Sequence, residues 1–188
     1  MEFTQAQQIA ALTERLGRLL GRDAHNQGLL PVHWEVLRYL QRANRFSRNS
    51  AALTAFLGLT KGTVSQTIKT LEANGLVRKQ VDAGDRRRIR LALSAKGVKF
   101  LRKDPLLEMV GAIEQLPTAA RGNLAEALEL LLRNRLEAQR RQPFGQCLDC
   151  CYFASEHPEG GPHYCDLLKE KLNNVDARAI CVEQMPGR

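Results

Sequence analysis

Two short helical patterns and a basic hairpin pattern follow one another within residues 50–97. Thr60 is a good N-cap for the second helix, because its hydroxyl can accept a hydrogen bond from a free backbone N–H of the first turn. Gly75 ends this helix, since glycine tolerates the left-handed conformation just past the last turn. The apolar residues between them have the spacing of one helix face: Val64, Ile68 and Leu71.

A shorter helix is predicted at 50–57, with Asn49 or Ser50 as its cap and Gly58 in the turn that follows. Two short helices joined by a tight turn that contains glycine are typical of a helix-turn-helix. The polar side chains of the second helix can reach base edges and phosphates. The DNA contacts predicted on this helix are Lys61, Thr63, Ser65, Gln66, Lys69 and Thr70.

The segments 77–81 and 89–93 largely alternate apolar and polar residues, as half-buried strands do. Three adjacent cations in the loop between them repel each other unless an anion neutralises them, which favours a nucleic-acid backbone as partner. An arginine at the tip can also enter a narrow minor groove. The loop residues predicted to contact DNA are Asp85, Arg86, Arg87 and Arg88.

These segments resemble the MarR family of winged helix-turn-helix regulators. The resemblance rests on Leu-Glu-Ala-Asn-Gly-Leu-Val at 71–77, Asp-Arg-Arg at 85–87 and Leu-Ser-Ala-Lys-Gly at 93–97, with Ser where the family usually has Thr. It implies that Arg87 is the minor-groove arginine and that Asp85 holds it in place. It also implies a mainly α fold with a small β-wing, which dimerises through its first and last helices.

Further helices are predicted on both sides of the DNA-binding core, which spans about 31–97. One runs over 2–21, one begins at Pro31, and Ser94 caps a stretch that Pro105 should kink or divide. A last helix is predicted from 118 to about 141. The long terminal helices carry more apolar surface than one small domain can cover, which predicts a homodimer. The apolar residues that support this are Leu12, Leu16, Leu128 and Leu132.

The formal net charge of the 188 residues is +8, which suits a polyanionic partner such as double-stranded DNA. Arg42 and Arg45 are further candidates for phosphate contacts. No apolar run of about 18 residues is present, so no membrane span is expected. The first residues resemble no signal peptide, so a cytoplasmic location is expected.

All five cysteines lie in a cysteine-rich tail, 143–188, and Pro-Phe-Gly at 143–145 is predicted to be the linker between this tail and the winged helix-turn-helix region with its dimerisation helices, 1–142. Cys147 and Cys150 have the Cys-x-x-Cys spacing that lets two thiolates reach one metal ion. Cys165 and Cys181 could complete a four-thiolate site that holds either zinc or an iron–sulfur cluster. Cys151 is the odd thiol and is left outside this site.

Other interpretations of the tail remain open. Cys147 could form a redox switch with Cys150 or Cys151, or the tail could be mobile with ordinary thiols. His157 and His163 could serve as substitute ligands.

The function expected from the whole sequence is a dimeric, DNA-binding transcriptional regulator that is not an enzyme and that responds to metal, redox state or a small-molecule effector. Two alternatives differ in class: a thiol–disulfide redox protein that uses the Cys-x-x-Cys, and a winged-helix adaptor that binds no DNA.

Overall fold

The computed structural model describes residues 3–26, 28–81, 89–156 and 161–187. Helices and a two-stranded hairpin form the first part of the chain, and short strands with one helical turn follow in the last part. In chain order the elements are α1 (Gln5–Asn26), α2 (Pro31–Arg42), α3 (Ser50–Leu57), α4 (Lys61–Ala73), β1 (Val77–Val81), β2 (Ile89–Leu93), α5 (Ala95–Phe100), α6 (Leu106–Glu114), α7 (Thr118–Ala138), β3 (Phe153–Ser155), β4 (His163–Cys165), β5 (Glu170–Leu172) and α8 (Asn174–Ala177).

The helix-turn-helix has the caps that the sequence predicts. The Asn49 side chain accepts a hydrogen bond from the Ala52 amide and so starts α3, and Gly58 ends that helix in the left-handed conformation. The Thr60 hydroxyl accepts from the Thr63 amide at the start of α4. These caps set the short turn between α3 and α4.

The wing is an antiparallel hairpin in which Val77 pairs with Leu93 and Val81 pairs with Ile89. The Leu91 amide also donates to the Arg48 carbonyl, 2.7 Å away, which joins β2 to the segment before α3. The wing loop with the predicted DNA contacts from Asp85 to Arg88 lies outside the described residues.

Helix α2 is the centre of the hydrophobic core. Trp34 is fully buried and stacks on Phe100, with the ring centroids 5.0 Å apart. Arg38 holds α2 against the α5–α6 turn through two hydrogen bonds to Asp104, of 2.6 and 2.7 Å. Leu91 of β2 is also fully buried, so the wing shares this core.

The two long helices α1 and α7 bury little of their apolar surface within the chain. Leu12 on α1 is 53% exposed and Leu132 on α7 is 59% exposed. In the described part of the chain, no residue of α7 is buried. No helix there is long and apolar enough to cross a membrane.

The cysteine tail, residues 143–188, contains a small sheet and one helical turn, neither of which the sequence predicted. Strand β4 pairs antiparallel with both β3 and β5. The tail does not stand apart from the rest of the chain, because Ile180 belongs to the main hydrophobic core.

Gly97, in the first turn of α5, lies close to the backbone of residue 76. A Cβ atom added at Gly97 would lie 2.1 Å from the Leu76 carbonyl oxygen, so the backbone would have to shift. We expect Gly97→Ala to lower the free energy of unfolding in urea by about 1–3 kcal/mol.

Gly111 in the middle of α6 provides a matched control, since nothing lies within 4 Å of a Cβ built there. Gly111→Ala should raise the free energy of unfolding by up to about 1 kcal/mol, because alanine favours the helix. Equal effects of the two substitutions would contradict the close approach of α5 to residue 76.

Candidate functional site

The outward face of α4 is polar and open to solvent. Thr63, Gln66 and Lys69 are exposed. The apolar stripe on the other face is buried and consists of Val64, Ile68 and Leu71. The side chains that could read a DNA groove are therefore on the free face, as the helical spacing predicts.

The other residues of this helix that were predicted to contact DNA differ in their exposure. Lys61 and Ser65 are exposed and line a cleft between α3, α4 and the wing. Thr70 is half-buried and its hydroxyl donates to the Gln66 carbonyl, 3.1 Å away. Lys79 of β1 lines the same cleft and pairs with Glu72 at 2.7 Å. Two cations thus border this cleft, and Glu72 offsets the charge of one of them.

The Arg45 side chain contacts the cysteine tail and is not free to bind phosphate as the sequence predicted. Its guanidinium pairs with Asp176 and donates to the Lys171 carbonyl, both in the cysteine tail. The guanidinium also lies 4.5 Å from the centre of the Phe46 ring. Arg42, the other candidate phosphate contact, is exposed.

Four of the five cysteines lie near one another. Cys147 and Cys181 are 5% and 4% exposed and hydrogen-bond to each other through their side chains. Cys165 interacts electrostatically with Cys147, Cys150 and Cys181. Cys151 is exposed. The fold thus gathers Cys147, Cys165 and Cys181 in one buried cluster, and Cys150 is within electrostatic reach of Cys165.

Backbone and side-chain donors point at these sulfur atoms. The Asn44 amide nitrogen lies 3.5 Å from the Cys147 sulfur, and the Met185 amide lies 3.5 Å from the Cys150 sulfur. The other two sulfurs accept from backbone amides at the start of tight turns. These amides belong to Leu167 and Leu168 for Cys165, and to Glu183 for Cys181.

The proton affinities of the thiols differ because of these contacts. The hydrogen bond from Cys147 lowers the pKa of the Cys181 thiol, and the same bond together with burial raises the pKa of Cys147. Burial raises the pKa of Cys165, against the effect of the Leu168 and Leu167 amides. Cys181 therefore loses its proton before its partner does.

His163 lies two residues before Cys165 in β4, so both point to the same face of the sheet. Its Nε2 atom lies 2.9 Å from the Asn174 side-chain oxygen. Its Nδ1 atom is buried and has no hydrogen-bond partner among the described residues. His157 lies outside the described residues.

The thiols are not arranged as a complete set of metal ligands. Within the described ranges, no group of three or more His, Cys, Asp or Glu side chains could hold a metal ion as it stands. All five cysteines are free thiols. The sequence suggested a redox pair of Cys147 with Cys150 or Cys151, but the thiol that hydrogen-bonds to Cys147 is Cys181.

The cysteine tail is docked on residues 43–49, which we call the α2–α3 loop. The backbone N–H of Asn44 donates to the Ile180 carbonyl at 2.9 Å, and the backbone N–H of Ile180 donates to the Arg42 carbonyl at 2.8 Å. The Val182 amide donates to the Ser47 hydroxyl at 2.9 Å. A short strand-like contact thus fixes the tail to the segment that leads into α3.

Sequence reasoning missed the loop residues that contact the tail. Asn44 and Ser47 are buried polar residues, and a buried polar side chain needs partners. Their partners lie more than a hundred positions away in the sequence, as the Asn44 contact with Cys147 shows. The only local signal is the polar character of the loop itself.

Comparison with known proteins gives results for part of the chain. Residues 27–88 match the sequence model of the MarR family. The search of curated proteins gives no match. A solved MarR transcriptional regulator from Methanosarcina mazei is 26% identical, with a TM-score of 0.55 over 70% of this chain and 96% of that chain.

Two further solved structures share the fold. MepR of S. aureus, solved in complex with DNA, is 21% identical, with a TM-score of 0.56 over 71% of this chain and 99% of that chain. CouR of Rhodococcus jostii, solved with p-coumaroyl-CoA, is 22% identical, with a TM-score of 0.54 over 69% of this chain and 95% of that chain. Residues 27–88, which contain the helix-turn-helix and the first strand of the wing, match the MarR family, and the fold is that of a winged helix-turn-helix regulator.

Proposed function

We propose that this chain is a transcriptional regulator that binds specific double-stranded DNA as a homodimer and responds to metal or redox state through its cysteine tail. The observation that carries the proposal is the exposed polar face of α4 beside the wing. A recognition helix in this position places its outward side chains in the major groove.

Charge and similarity support the DNA partner. The net charge of +8 attracts a polyanion. The winged fold is shared with MepR of S. aureus, which has been solved as a DNA complex. A winged-helix adaptor that binds no DNA would have no need of exposed Gln66 and Lys69 on this helix or of three adjacent arginines in the wing loop.

The oxidoreductase alternative has less support. A Cys-x-x-Cys redox centre normally opens a helix in a β-α-β context. Here Cys147–Asp149 is a single 3-10 turn, and the strands that the structure describes after it pair antiparallel. The thiol in contact with Cys147 is also that of Cys181, which lies outside the motif.

The recognition helix gives the sharpest test of DNA reading. Gln66 can bond a base edge, so Gln66→Ala should change the sequence that binding-site selection recovers. Lys69 can contact phosphate, so Lys69→Ala should weaken binding to all duplexes alike and lower the salt slope by about one.

These two substitutions serve as controls for each other, because both side chains are exposed on the same helix. Recovery of the parental sequence by the Gln66→Ala variant would count against base reading by α4. Absence of duplex binding by the unmodified dimer, with or without metal, would reject the DNA-binding function itself.

Dimer formation through the terminal helices is the second test. Leu128 and Leu132 are 48% and 59% exposed and lie one turn apart on α7. Leu128→Glu with Leu132→Glu should turn a dimer into a monomer in light scattering and reduce DNA affinity, because charges oppose burial in an apolar interface.

Leu130→Glu is the matched control on the opposite side of α7, where a charge should leave the dimer intact. A monomer mass for the unmodified chain at micromolar concentration would contradict the proposed dimer. A dimer that survives the double substitution would place the interface elsewhere.

A further inference from the structure

The donors around the four sulfur atoms suit thiolates better than neutral thiols. A neutral thiol is a weak acceptor, whereas a metal-bound thiolate accepts hydrogen bonds that also tune the centre. Each of the four sulfurs has at least one such donor within the chain. The donors are Asn44 for Cys147, Met185 for Cys150, Leu167 and Leu168 for Cys165, and Glu183 and Ser47 for Cys181.

The tail also lacks a hydrophobic core of its own. Its buried cluster consists of three cysteines and Leu172, against which a few half-buried aromatic and aliphatic side chains pack. Its strands are three residues long. Segments of this size usually need a metal or disulfides to stay ordered. The free thiols at the centre of the cluster are in the right place for a metal.

We propose that a thiolate-preferring metal centre, zinc or an iron–sulfur cluster, is bound by Cys147, Cys150, Cys165 and Cys181. We further propose that metal binding changes the position of the α2–α3 loop through Asn44 and Ser47, and so affects the DNA-binding core. The DNA part of this inference rests on the function proposed above. The coupling between the metal site and the α2–α3 loop does not depend on that function, because the contacts that support it lie within the chain.

Filling the centre should move the α2–α3 loop. The thiols must draw together and release their protons to the solvent, because no ligand set is closed in the described residues. Asn44 and Ser47 are bonded to Cys147 and Cys181 and should move with these sulfurs. The Asn44 side-chain oxygen accepts from the Ser47 amide at 2.9 Å, so the loop should move as a unit.

The other end of the loop positions the DNA-reading elements. The Arg48 carbonyl accepts from Leu91 of β2 at 2.7 Å. Asn49 caps α3 through the Ala52 amide at 2.9 Å. One loop therefore bonds to the sulfur centre, to the wing and to the first helix of the helix-turn-helix. A filled centre should fix these elements and tighten DNA binding.

The experiment uses the full chain purified anaerobically, stripped with a chelator and reloaded with Zn²⁺ or with Fe²⁺ and sulfide. About one zinc per chain without colour would select zinc, and visible absorption would select a cluster. The loaded form should bind a selected duplex at least about five-fold more tightly than the stripped form. Failure to take up either metal, or equal DNA affinity of the two forms, would overturn the proposal.

Asn44→Asp tests the positioning role of the amide. The variant keeps the oxygen that holds the loop turn but replaces the donor to the sulfur with a second acceptor oxygen. We expect its metal affinity to fall by about ten-fold. The dependence of DNA affinity on metal should shrink with it.

Asn49→Asp is the matched control, with the same change of charge in the same loop. The Asn49 side chain bonds to Phe46 and Ala52 within the loop and α3. It should retain the metal affinity of the unmodified chain, because it does not touch a sulfur atom. Equal metal affinities for the two variants would exclude a role for Asn44.

Amide resonances separate this inference from the proposed function, because they are read without DNA. The resonances of Ser47 and Leu91 should shift when the centre fills. A shift without any duplex binding would support the loop coupling and reject the DNA-binding function. Unmoved resonances in a metal-loaded chain would overturn the coupling whatever the DNA result.

Discussion

The side-chain carboxamide of Asn44 makes hydrogen bonds that join the cysteine tail to the DNA-binding core. The residue is 1% exposed, so its side chain needs partners inside the protein. Its oxygen accepts from the Phe46 and Ser47 amides and so shapes the α2–α3 loop. Its nitrogen donates to the Cys147 sulfur. One buried side chain thus serves both the approach to α3 and the sulfur cluster.

The surrounding contacts make this a fixed junction. Ile180 places its side chain in the main core while its backbone bonds to both sides of Ala43. Arg45 adds an ion pair with Asp176, whose carboxylate is buried. Breaking such a pair leaves a buried charge without compensation, so the tail should be hard to detach. The tail is therefore placed to influence the DNA-binding core, whatever occupies the sulfur cluster.

The DNA-binding core was largely predictable because its signals are local. The caps at Asn49, Thr60 and Ser94 and the stop at Gly75 confirm the helix ends expected from the sequence. The wing strands have the bounds expected from the sequence, 77–81 and 89–93, although their burial does not alternate: in β1 only Val77 is buried, and in β2 only Leu91. Helix α1 extends to Asn26, beyond the predicted end at residue 21, where no strong stop signal is present.

The arrangement of the tail was not predictable, because it depends on partners distant in sequence. The spacing of Cys147 and Cys150 indicated a shared site, whereas the thiols that the structure packs in one buried cluster are Cys147, Cys165 and Cys181. Nothing local indicated that Ser47 would accept from Val182 or that Arg45 would turn from DNA to Asp176. Short strands such as β4 are also weak signals, since three residues carry no periodicity.

The central claim is that the tail and the DNA-binding core form one unit joined at the α2–α3 loop. Amide hydrogen exchange in the full chain tests it most directly, because a docked tail opens only with the core. The amides of Ile180 and Val182, which bond to the loop, should be protected as strongly as that of Leu91 in the core. Rapid exchange at Ile180 and Val182 beside a protected Leu91 would contradict the claim.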